Sequence, residues 1–314
     1  MVAHLLLDTT VTGVPYVLPF LGVFVGFRLL DRIDLTIDAS FVLGAAVTAV
    51  ALGADVSPWV ALVAAAAAGA AAGLVTTALH LLLRVPVLLA GIVMWIGLYS
   101  INLRVMGRPT LAVASITTIY APLDGLGRSA RDLWAVGILT SIVAAVVVAV
   151  AAYLRSESGL ALRATGVNTM MARSQGVDDR LVVLIGLAAA NSLAALGGAL
   201  VAQGQGFAEV NMGTGVVIAG VAAVLIGELL VRPAPSAIVG ALAAVVVGTL
   251  AYRFVLLVAL RIGLPASDLR LVTAVTLGLT LAARRARGRV RTGVARSRTP
   301  RAVPGPKEVD DARA

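Results

Sequence analysis

Apolar stretches of roughly twenty residues without a charge recur along this 314-residue chain. A bilayer core needs about 20 such residues per helix. The stretches predict nine spans: 14–30, 38–54, 59–83, 86–106, 133–154, 181–205, 213–231, 236–260 and 268–284. The run 133–154 is the clearest, 38–54 is short, and 268–284 must snorkel Arg270 toward its outer end. The expected fold class is an all-α polytopic membrane protein. Sixty per cent of the residues are hydrophobic and 13% charged, which excludes a soluble enzyme and a disordered chain. The segment before the first span carries His4 and Asp8 but no Lys or Arg, so it lacks the basic region of a cleaved signal peptide.

The net charge of +9 is unevenly spread. Ten basic and three acidic residues fall beyond residue 283, leaving only +2 for everything before it. This tail reads as a juxtamembrane basic segment on the cytoplasmic side. It has no aromatic residue to stack a base, so no nucleic acid is expected as a partner. With nine spans and the C-terminus inside, the N-terminus is outside. Loop 155–180, with Arg155, Arg163, Arg173 and Arg180, then falls inside, as do Arg84 and Arg232. Loop 107–132 falls outside, and its Arg108, Arg128 and Arg131 count against this orientation.

Polar residues inside such a chain are informative because they are costly in lipid. Asp34, Thr36, Asp38 and Ser40 alternate with apolar residues between the first two spans. The period of two suits an extended lead-in to a broken helix that lines a pathway. A turn in which Asp38 or Ser40 caps its own helix explains the same residues. A second polar, glycine-rich stretch, Gln203–Gly215, precedes another apolar run and contains Glu209. Paired interruptions in two halves of a chain point to a transport route. Asn102 and Asn191 lie within spans four and six, either on that route or bonded to a neighbouring helix. Glu228 stands four residues before Arg232, the spacing of a helical ion pair. Tyr99, Trp59, Trp95 and Trp134 fit interfacial anchors at least as well as a substrate cage.

Catalytic chemistry has little to work with. The chain has no Cys and two His, and its single lysine, Lys307, sits in the tail. A Walker-type phosphate loop is therefore absent, as are the His-Glu-x-x-His and Gly-x-Ser-x-Gly patterns. No catalytic residue, metal site or cofactor is expected. Transport is the leading reading, with an ion- or proton-coupled secondary carrier using Asp34, Asp38 and Glu209 as the alternative, and a membrane scaffold as a third.

The inner loop carries a resemblance. Gly159-Leu-Ala-Leu-Arg163-Ala-Thr-Gly166-Val-Asn168, followed by Ala172-Arg173-Ser-Gln-Gly176-Val177, resembles the cytoplasmic coupling loop of ABC importer permeases serving branched-chain amino acids, ribose and nucleosides. Leu30-Asp-Arg-Ile-Asp34-Leu-Thr-Ile-Asp38-Ala-Ser40-Phe, Leu98-Tyr-Ser-Ile-Asn-Leu-Arg104-Val-Met-Gly107 and Gln205-Gly-Phe-Ala-Glu209-Val-Asn-Met-Gly213 are similar to tryptophan/tyrosine-type permeases. Ala39 stands where that group usually has Gly, and the basic tail has no counterpart there. The resemblance implies a type II-like ABC importer permease bundle over 1–284, with coupling loop 155–180 and a basic disordered cytoplasmic tail over 285–314. It implies that Arg163, Gly166, Asn168, Ala172, Arg173 and Gly176 lie at the ATPase contact. It further implies an ATP-binding ABC subunit, an extracytoplasmic substrate-binding protein and a second permease chain, expected as a homodimer, in a prokaryotic inner membrane. The expected substrate is an amino acid, with aromatic amino acids as the inherited expectation. On this reading Asp34, Thr36, Asp38, Ser40, Asn102, Asn191 and Glu209 approach the translocation path.

Overall fold

Glycines decide how closely the helices of this protein approach one another. The computed structural model describes residues 9–113, 118–120, 128–232, 234, 237–265 and 268–296. The helices are α1 (Thr9–Leu29), α2 (Thr36–Gly53), α3 (Pro58–Leu83), α4 (Val87–Met106), α5 (Arg128–Arg155), α6 (Glu157–Val167), α7 (Thr169–Ser174), α8 (Asp179–Gln205), α9 (Val216–Val231), α10 (Ile238–Arg261) and α11 (Leu269–Arg296). Two short strands, β1 (Thr110–Ala112) and β2 (Phe207–Glu209), pair antiparallel with Thr110 opposite Glu209.

Helix α8 is the hub, with α1, α2 and α3 packed along it. A Cβ at Gly22, Gly44, Gly69 or Gly73 would strike the α8 backbone at Ala190, Ala195, Asn191 or Leu187. Small residues allow this backbone-to-backbone packing, on which helices in lipid depend. Gly227 and Gly248 bring α9 and α10 together in the same way. Large side chains fill the space between, with Leu18, Phe20, Leu21, Phe41, Leu187 and Leu200 all fully buried.

Each of the nine expected spans coincides with a helix. Seven of the described helices are long and apolar enough to cross a membrane, while Val216–Val231 is shorter. Helix α11 continues to Arg296, into the stretch expected as a disordered tail. Its Ala- and Arg-rich composition supports that extension. Residues 297–314 lie outside the described residues.

Two local expectations are corrected. Residues 36–40 are helical, so their alternation marks no strand; only 31–34 run without regular structure before α2. Glu228 does not pair with Arg232, because the helix ends at Val231 and Arg232 turns into the left-handed region at φ 49°. Its two oxygens instead accept from Arg28 of α1 at 2.7 Å and Arg284 of α11 at 3.0 Å. These contacts tie the ends of α1 and α9 to the middle of α11.

Candidate functional site

The polar residues of the first interruption are not scattered caps but one connected joint. The chain leaves α1 through a π-helical turn, Phe24–Leu29, and climbs alongside α8. At about 1.5 Å per residue, Asn191 stands about 18 Å along α8 from Asp179. Asp34 meets it there: Oδ2 accepts from Asn191 Nδ2 at 2.7 Å and Oδ1 from the Thr36 N–H at 2.8 Å. Asn191 also donates to the Leu187 carbonyl at 2.9 Å, and its Oδ1 accepts from the Ser40 hydroxyl at 2.7 Å. Thr76 of α3 donates to the Ala72 carbonyl at 2.9 Å, so Thr36 is the donor in its own 2.9 Å bond to Thr76. Asp34, Thr36, Ser40, Thr76 and Asn191 are all buried. Each has a partner, as buried polar groups require.

Asp38 has a different task. Its Oδ2 accepts from the Gly215 N–H at 3.0 Å and its Oδ1 from the Val217 N–H at 2.7 Å. Those are the unpaired donors that open α9, and Gly215 itself adopts φ 87°. Asp38 therefore caps a helix 177 residues away and not its own. A carboxylate at that position satisfies two orphan donors and offsets the positive end of the helix dipole. The start of α2 and the start of α9 thus meet inside the bundle, joined by one side chain.

A cleft of about 290 Å³ opens beside this junction. Asp38, Asn102, Asn211, Trp95, Tyr99 and Arg270 contribute to its wall. Asn102 donates through Nδ2 to the Ala39 carbonyl at 3.2 Å. Trp95 and Tyr99, read as interfacial anchors or a substrate cage, and Arg270, read as a snorkelling cation, meet in this wall; for the two aromatics and Asn102 the spacing carried the signal, since 95, 99 and 102 fall on one face of α4. Glu209 stands apart. It lies on β2 opposite Thr110, and its neighbours Val210 and Asn211 reach the cleft while it does not.

The inner loop folds into two short helices, α6 and α7, which form a knuckle. Ser156 caps α6 by accepting from the Gly159 N–H, and Asn168 caps α7 by accepting from the Met171 N–H at 3.0 Å. Much of the expected contact set faces inward or braces the knuckle. Gly166 sits on the Leu29 carbonyl at the end of α1. Ala172 is buried. Arg163 donates to the Gly159 carbonyl of its own helix at 3.4 Å. Arg173 grips Asp179 at 2.7 and 2.8 Å, and that hydrogen bonding raises the Arg173 pKa. Gly176, at φ 84°, turns the chain into α8. The most exposed large apolar side chains of the knuckle are Val167, Met170 and Met171, at 89%, 75% and 64%, followed by Leu160 at 59%. Leu162 is buried.

Residues 5–283 match the family model described as branched-chain amino acid transport system / permease component. The chain is 32% identical over 258 residues to the tyrosine transport system permease protein of Clostridioides difficile (strain R20291), covering 82% of this chain and 83% of that one. It is 34% identical over 263 residues to an uncharacterized protein of Rickettsia prowazekii (strain Madrid E), covering 83% and 91%. No solved structure matches.

Proposed function

The chain belongs to the branched-chain amino acid transport system / permease component family, and from that premise we propose how its parts divide the work of transport. It is a multi-pass membrane protein and the permease subunit of an ABC importer for amino acids. The substrate is an aromatic amino acid, as the name of the tyrosine permease suggests. Residues 1–284 form the permease domain in a prokaryotic inner membrane, with the knuckle and the basic segment 285–314 on the cytoplasmic side. ATP hydrolysis takes place on a partner ATPase. A substrate-binding protein delivers substrate from outside, and a second copy of the permease completes the path.

The observation that carries this reading is the continuity between knuckle and joint. Gly166 rests on the end of α1, and Arg173 clamps α7 to the start of α8. Asn191 lies on that same α8 and holds Asp34 and Ser40. A push on Val167, Met170 and Met171 is therefore delivered to the elements that hold α2 against α9. Alternating access follows when the Asp38 junction and the cleft beside it open to one side or the other. The carrier alternative finds less support, since each oxygen of Asp34 and Asp38 already accepts an N–H.

The test is tyrosine uptake into proteoliposomes carrying the permease, its ATPase and its binding protein. Uptake is expected only with ATP and all three components. Uptake by the permease alone, driven by an ion gradient, overturns the reading.

A further inference from the structure

At the knuckle's end of the bundle one carboxylate holds two guanidinium groups. Glu228, near the end of α9, accepts from Arg28 Nε at 2.7 Å and from Arg284 Nη2 at 3.0 Å. The Glu228 side chain is mostly covered, at 16% exposure, while Arg28 and Arg284 keep 55% and 41%. One negative charge therefore positions two positive ones and leaves the cluster at net +1. Arg28 adjoins Leu29, on whose carbonyl Gly166 rests, so the cluster lies on the same side of the bundle as the knuckle.

Helix α11 extends this positive surface. At 3.6 residues per turn, Arg285 stands about 100° round the helix from Arg284, and it is exposed. Its side of the helix is bare and apolar nearer the start, where Leu271, Val275 and Leu279 are all exposed, as is Leu281. Position 289 falls in line with 271 after five turns. One strip of α11 thus passes from apolar to basic, and from 285 to 296 it holds five Arg and no acidic residue.

The two halves of this surface restrict the occupant. A soluble anion engages the arginines and leaves the leucines bare. A nucleic acid finds no aromatic ring to stack on in this stretch. An anionic phospholipid fits both halves: its phosphate meets the guanidinium forks, and its acyl chain lies on the apolar strip. The boundary between apolar and basic residues on a membrane-spanning helix is also where lipid headgroups lie.

We infer that Arg28, Arg284 and Arg285 form a headgroup site for an anionic phospholipid of the leaflet on the knuckle's side, with the acyl chain along Leu279 and Leu281. Glu228 is the positioning residue that holds two of the three cations. The site goes beyond the importer reading and requires only a bilayer around the helices.

The chain has no Cys. Leu281→Cys therefore places a single fluorescent label beside the cluster, and Val93→Cys places one on an exposed part of α4 as a remote control. Each full-length variant is reconstituted into phosphatidylcholine vesicles. Quenching by phosphatidylglycerol with brominated acyl chains is compared with quenching by phosphatidylcholine brominated in the same way. At position 281 phosphatidylglycerol is expected to quench at a mole fraction about fivefold lower, the preference that one uncompensated arginine near an anionic surface confers. At position 93 the two lipids should quench alike. Arg285→Gln should cut the preference at 281 several-fold, and its exposed position keeps the fold intact. Arg28→Gln with Arg284→Gln leaves Glu228 unpaired and should abolish the preference. Unbrominated phosphatidylglycerol should relieve the quenching, whereas inorganic phosphate at the same concentration should not. Equal quenching by both lipids at 281, an equal preference at 93, a preference untouched by Arg285→Gln, or relief by inorganic phosphate overturns the site.

Discussion

The joint around Asp38 hides polar and charged groups deep within an apolar bundle, whereas the α6–α7 knuckle holds bare apolar side chains outward, Val167, Met170 and Met171 foremost. Each reverses the usual rule of burial, and the two reversals have different remedies. At the joint, every exception but one is satisfied from within the chain, through bonds that cross between helices. At the knuckle, no described residue covers Val167, Met170 or Met171. Internal satisfaction means the joint acts on the fold itself. An uncovered apolar surface is what the proposed contact of the knuckle with its ATPase requires.

The largest effect is expected at Asp38. Asp38→Ala leaves the Gly215 and Val217 N–H groups without their acceptors. An orphaned buried donor costs about 1–3 kcal/mol. The thermal midpoint in detergent should fall and uptake should be lost. Asp38→Asn keeps one acceptor oxygen and should fall between. A wild-type midpoint in Asp38→Ala would mean that the joint is not held by this cap, and the contrast with the knuckle would collapse.

Next comes Gly166, where the two regions touch. Any side chain there meets the Leu29 carbonyl, and overpacking of this kind costs about 1–3 kcal/mol. Gly166→Leu should lever the knuckle from α1. ATP hydrolysis by the assembled transporter is expected to persist while uptake drops at least tenfold. Coupled uptake at the wild-type rate would show that force does not pass through this contact.

The outward face of the knuckle should behave oppositely. Met170→Asp with Met171→Asp changes two exposed side chains, so the thermal midpoint should stay put. Burying a Met contributes about 1.5–3 kcal/mol. Loss of both should weaken ATPase association by more than tenfold in a pull-down titration. A lower midpoint with unchanged association would make this face part of the fold and not a contact.

How much of this could be read beforehand depends on the range of the interaction. The helices were legible because lipid demands long apolar runs. The importance of Asp34, Asp38, Ser40, Asn102 and Asn191 was legible because polarity in such runs is rare. Their partners were not. A local rule offered Asp38 or Ser40 as the cap of its own helix, but the donors to Asp38 lie 177 and 179 residues on. The i,i+4 rule joined Glu228 to Arg232, but a helix ending at Val231 broke that spacing. In the inner loop, Gly166 packs on the Leu29 carbonyl and Ala172 is buried within the chain. The apolar Val167 and Met170, between and beside them, carry the exposed surface.

The smallest effect is expected at Thr76, on the hydroxyl arm of the joint. Thr36 donates to Thr76, which donates back to Ala72 in its own helix. Thr76→Val keeps the branched shape and removes both roles of the hydroxyl. Ala72 remains within α3, where its carbonyl has a helical N–H partner. Thr36 loses its acceptor, and the loss is that of one neutral hydroxyl bond. Hydrogen bonds between helices in membranes average about 0.6 kcal/mol, so the midpoint should move little and uptake should hold within a factor of about three. This near-neutral result is what separates the two arms. The Asp38 arm holds two backbone donors at a helix start with a charged acceptor, and the Thr76 arm holds a single neutral hydroxyl. If Thr76→Val proves as damaging as Asp38→Ala, the joint is a single cooperative network, and the cap on α9 loses its special place in it.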